Sequence, residues 1–183
     1  QVLYCLGLTN KSAEKSVPRR DTSEAWAHIH AGRFAEAEGV IRSLIGGVDA
    51  NDHRRLFFLF GLLGSILNSL GRHNDATSAL REALNQELLV SSPGSNVIHQ
   101  YMLANQYLIV GDPEQALAVI QVVPPGVGHV RCLLHIAAAK ALWALGRQNE
   151  ARRAAAEALA AAPTDEQRSD VLSELSEMRE SQR

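Results

Sequence analysis

The residue types that carry most protein chemistry are present in this chain, but not in working arrangements. His28 and His30 stand two apart in a helical pattern, so their rings leave a helix on different sides. His129 and His135, six apart, diverge as well. Neither Cys5 nor Cys132 joins a Cys/His cluster at zinc-ligand spacing, so no metal site is expected. Glu36 and Glu38 fall on different faces of one helix and do not make the paired carboxylates of general acid–base work. Gly126-Val127-Gly128 is a lone loop fragment with no preceding strand, which leaves phosphate binding without a motif. No serine or cysteine sits in a recognisable nucleophile setting. The sequence predicts no catalytic residue, no metal and no cofactor, and hence a protein that is not an enzyme.

Composition narrows the alternatives. Of 183 residues 46% are hydrophobic, enough for a continuous core, and only 5% are aromatic. Alanine and leucine dominate, which favours helices over strands. The 18 basic and 20 acidic residues give a net charge of −2 with no basic cluster, so nucleic acid is not an expected partner. The longest apolar run, Leu56 to Leu67, is broken by Gly61, Gly64 and Ser65 and is too short to span a membrane. Both cysteines are embedded in apolar sequence and are expected as reduced thiols. The arginine and alanine richness suggests a bacterial source. A cytoplasmic location is the favoured expectation, and a removed signal peptide stays open because the chain has no initiator methionine.

The elements that must position any function are helices. Four times a glycine is followed five residues later by an alanine: Gly32 and Ala37, Gly71 and Ala76, Gly111 and Ala116, Gly146 and Ala151. A recurrence at this interval signals stacked supersecondary units. Around these pairs the caps fall in order. Asp21 with Glu24 predicts a helix start, and Gly46-Gly47 a stop. Asp52 opens a long helix, apolar nearly all round and therefore buried on several sides. Asp112-Pro113 is a strong start signal, and Pro124-Pro125-Gly126 must end the helix it opens. Thr164 with Gln167 opens a last helix to about Met178 with a thin apolar stripe, as a terminal cap requires. Val119 to Val123 resembles a strand in isolation but has no partner strand.

Placed on the glycines, the units resemble tetratricopeptide repeats. The second is the best match, with Leu63-Gly64, Leu67, Gly71, Ala76, Leu80 and Ala83. The third gives Leu103-Ala104, Tyr107, Gly111, Ala116 and Ile120. The fourth gives Ala138-Ala139, Leu142, Gly146, Ala151, Ala155, Ala158 and Pro163. The first, with Ala25, His28, Gly32, Ala37, Ile41 and Leu44, is the weakest. The resemblance implies an all-α, right-handed α-solenoid of about four helix pairs, A and B, plus a C-terminal capping helix. Its expected bounds are an N-terminal arm or truncated helix over 1–20, repeats over 21–50, 52–90, 96–125 and 129–163, and a cap over 164–183.

In this family helix A lines a concave groove, and the resemblance implies that partner contacts come from Leu62, Ser65 and Asn68, from Tyr101, Met102 and Asn105, and from Ile136, Lys140 and Trp143. One subgroup grips C-terminal carboxylates with Lys, Arg and Asn side chains. Thr22, Trp26 and Met102 stand where such residues would be needed, and Asn105 with Lys140 does not rebuild that set. The expected ligand is instead an apolar or amphipathic protein segment, which makes the chain a protein-interaction adaptor. Alternatives are a bacterial secretion-type chaperone, a structural dimerisation module, or a fragment of a larger regulator or enzyme. Val2 to Leu8 is an apolar stretch on a polar tether and is a candidate to dock in the groove, in cis or in a dimer.

Overall fold

The computed structural model describes residues 19–90, 97–120, 128–162 and 164–180. Cys5, the segment Val2–Leu8, Pro124-Pro125-Gly126 and most of the strand-like stretch fall outside them; Val119 itself is helical. Among the described residues the elements are helices and turns: α1 (Arg19–His30), α2 (Phe34–Gly46), α3 (His53–Ser69), α4 (His73–Leu88), α5 (Val97–Ile109), α6 (Pro113–Val119), α7 (His129–Ala144), α8 (Gln148–Ala161) and α9 (Asp165–Glu180). The chain divides into two compact units, residues 1–99 and 100–183.

The four glycines of the recurrence fix the helix turns. They have φ of 71°, 73°, 80° and 74°, and no other described residue has a positive φ in this range. A Cβ at these positions would meet nothing within 4 Å, so the requirement is for the left-handed backbone and not for space. Around Gly71 the turn closes in two bonds: Gly71 N–H donates to Asn68 C=O, and Arg72 N–H to Leu67 C=O. This is a Schellman closure of helix A. The next residue does double duty, because Arg72 C=O also accepts from Ala76 N–H and so opens helix B. The other three turns repeat the pattern, with Arg33, Asp112 and Arg147 in the shared position.

In the first unit α1 packs on α2, α2 on α3 and α3 on α4. The alanines of the recurrence are fully buried, as are Ala25, Ile41, Leu59, Leu63 and Leu67. Where α3 crosses α4 the backbones come so close that a Cβ on Gly64 would lie 2.6 Å from Leu80 Cγ. In the second unit α6 packs on α7, α7 on α8, and α9 rests on both α7 and α8. Its alanine-rich core includes Ala139, Ala151, Ala154 and Ala158, with Val171 and Leu175 of α9 set against it.

Three expected caps are present: Asp52 accepts from Arg55 N–H, Asp112 from Gln115 N–H, and Thr164 Oγ1 from Gln167 N–H. Asp21 is not a cap, since α1 is already helical from Arg19. An acid is favoured anywhere in a first turn by the helix dipole, so it marks the region and not the terminal residue. The last helix runs to Glu180, beyond the expected Met178.

Gly64→Ala is expected to lower the unfolding free energy by about 1–3 kcal/mol through overpacking. Gly71→Ala is expected to lower it by about 1–2 kcal/mol through backbone strain alone. Urea titrations separate the mechanisms: Leu80→Ala should make Gly64→Ala markedly less harmful and leave the effect of Gly71→Ala unchanged.

Candidate functional site

The nine groove positions fall into different environments. In the first unit, Leu62 keeps 1% of its surface and Ser65 is buried with its hydroxyl donating to Gly61 C=O. Asn68 is half-buried, and its Oδ1 lies 2.8 Å from His73 Nδ1 across the turn. All three are engaged by the packing of their own unit. In the second unit Ile136 is buried. Tyr101, Met102 and Asn105 are half-buried and lie within about one turn of each other on α5. Lys140 and Trp143 are half-buried one turn apart on α7. Trp143 packs beside the Ala139–Leu142–Ala151–Ala154 cluster, and its Nε1 has no hydrogen-bond partner among the described residues.

Several polar groups outside these nine positions are built into the fold. His99 Nδ1 lies 2.8 Å from Glu87 Oε2, with both side chains almost fully buried. The His99 ring meets Phe57 edge-on at 5.6 Å and covers Gly61, where a Cβ would approach Nε2 to 2.5 Å. Gly61 therefore makes room for a buried imidazole. On the surface of the same unit Arg72 donates through Nη1 to both oxygens of Glu38 at 2.9 and 2.8 Å, and Arg42 Nε donates to Glu38 at 2.8 Å. Burial alone would raise the Glu38 pKa, but the hydrogen bonds and charges of Arg42 and Arg72 outweigh it and hold the carboxyl below its ordinary value. An arginine after the turn glycine with an acid three residues on marks the Arg72–Asp75 pair in the sequence, but the reach to Glu38, 34 residues away, leaves no such mark.

His135 is buried on α7, with Nδ1 3.0 Å from Glu157 Oε2 and Nε2 3.4 Å from Arg131 Nε. Burial lowers its pKa, Glu157 works against that, and Arg131 adds to it; the net direction is down. Burial likewise pushes the Cys132 thiol up, which makes it a poor nucleophile near neutrality. Among the described residues no group of three or more His, Cys, Asp or Glu side chains is placed to hold a metal ion. None of the described helices is long and apolar enough to cross a membrane.

Paired helices closed by a left-handed glycine, with alanines at every crossing, define a helical-repeat protein. Residues 18–43, 97–121 and 133–157 match the tetratricopeptide repeat family model. The fold is similar to that of a putative kinesin light chain with nearly identical TPR-like repeats from Podosopora anserina, with a TM-score of 0.63 over 88% of this chain and 92% of that one. The two are 17% identical, so the likeness is one of fold. No curated protein matches the chain. Tetratricopeptide repeats are protein-interaction modules and typically non-enzymatic scaffolds, and this chain carries such a module.

The lowered pKa of His135 gives a pH dependence with a definite sign. The unfolded state takes up its proton near 6.5, before the folded state does, so stability falls as pH drops through that value. His135→Gln should remove this part of the acid sensitivity. Urea midpoints compared between about pH 7.5 and about pH 5.5 should fall less for the variant than for the wild type.

Proposed function

We propose that the chain is an adaptor that holds an apolar or amphipathic segment of a partner protein on its helix-A side chains, with Tyr101, Met102, Asn105, Lys140 and Trp143 as the contact residues. The observation that carries this is the contrast between helices. The corresponding positions of α3, Leu62 and Ser65, are closed by internal packing, whereas two large aromatics on α5 and α7 remain half-exposed. In a chain with so few aromatics, Tyr and Trp at such positions match the side chains that dominate protein interfaces. Asn105 and Lys140 would add polar contacts that orient the ligand.

Full burial of an exposed side chain of this size contributes about 1.5–3 kcal/mol, and covering what remains exposed of the half-buried Tyr101, Met102 and Trp143 would contribute a fraction of that each. The helix-in-groove and extended-strand modes of peptide capture both suit a surface of this kind.

The test is a displayed peptide library selected against the wild-type chain. Selected peptides should be apolar or amphipathic, and Tyr101→Ala/Trp143→Ala should weaken them at least about ten-fold. Circular dichroism and thermal melts check that the variant is folded, and Tyr101→Ala alone should give a partial loss. Unchanged affinity in a folded double variant would remove these residues from the contact surface.

A further inference from the structure

The turns of the second and fourth repeats carry the same arginine in different company. Arg72 directs Nε to Asp75 at 2.8 Å and Nη2 to the same carboxylate at 2.6 Å, while Nη1 takes both oxygens of Glu38. Arg147 reproduces the first half of this arrangement: Nε and Nη2 meet the two oxygens of Glu150 at 2.8 and 2.7 Å. The second half is missing, because among the described residues Nη1 of Arg147 holds no carboxylate. The repeat register gives the reason. Glu38 stands six residues after Gly32, and the residue six after Gly111 is Leu117. An open depression lies there, lined by Glu114, Leu117 and Ala118 of α6 and by Leu145 and Arg147 of the turn between α7 and α8.

We propose that this depression docks a helix of a partner protein that places a glutamate on Arg147 Nη1, an apolar side chain on Leu117, Ala118 and Leu145, and a lysine or arginine one turn on, facing Glu114. Charge complementarity selects this occupant. A carboxylate alone would meet the acids Glu114 and Glu150, of which Glu150 is already offset by Arg147 and the nearby charge of Arg153 while Glu114 is not. Glu114 makes no ion pair among the described residues, so a ligand cation beside the glutamate neutralises it. The acid and base one turn apart are what α2 itself presents to Arg72, where Glu38 and Arg42 pair at 2.8 Å. The partner helix would thus supply to the fourth repeat what the first repeat supplies to the second. This surface belongs to helix B and a turn, and its occupancy is independent of the helix-A contacts proposed above.

The probe is a capped, alanine-based helical peptide presenting Glu, Leu and Lys on one face, titrated into the full chain labelled with nitrogen-15. Shifts are expected at the Leu117, Ala118 and Leu145 amides and at the Arg147 Nε–H. A peptide with Gln in place of Glu should bind about five-fold more weakly to the wild type, as a solvent-exposed bidentate pair warrants. That difference should vanish in Arg147→Gln. Equal affinity of the two peptides for the wild type would overturn the proposal, as would shifts confined to α5 and the outer face of α7. The wild-type comparison decides the matter even where Arg147→Gln fails to fold.

Discussion

One residue in each repeat belongs to two helices at once, and the rest of the structure depends on it. The N–H of Arg72 closes helix A and its carbonyl opens helix B. That is possible only when the residue before it adopts a left-handed backbone, which glycine does without strain. With the turn reduced to these two residues, the angle between the helices is set by backbone geometry. The side chains must then fit the crossing that results. Gly64 under Leu80 and the buried alanines five residues after each glycine are consequences of the turn; they do not cause it.

This explains which features were legible in the sequence. The turn glycines, the crossing alanines and the caps at Asp52, Asp112 and Thr164 are local rules, and each local rule leaves a local mark. The groove was harder to read. Carrying the family's helix-A contact positions onto this chain assumes a helix with one packed face, and α3 is packed on nearly all of its faces, so Leu62 and Ser65 lie inside. Gly61, beside Leu62 on the same helix, receives the ring of His99. The Glu87–His99 pair joins residues twelve apart at two helix ends, a contact set by tertiary approach that no periodicity announces.

The repeats are equal in backbone and unequal in chemistry. Arg33, Arg72 and Arg147 share one register, and none uses its side chain to cap helix B. Arg33 donates to His28 within its own unit, Arg72 reaches back to the preceding helix B, and Arg147 stops at Glu150. A duplicated scaffold can diverge in this way at exposed positions without disturbing the turn, because such ion pairs contribute little to stability. Recognition is free to vary where the fold is indifferent.

The brevity of α6 has a consequence in time. It has seven residues, against sixteen in α4, and so spans roughly 10 Å. A helix of that length is far below what can persist in water by its own propensity. Among the described residues it is held by Ala116, Leu117 and Ile120 against their neighbours and by the Asp112 cap. Its amides are therefore expected to exchange with solvent ahead of those of α7 and α8. A surface that borders α6 inherits that rhythm, so a ligand bound there would report its presence by slowing the exchange of a single turn.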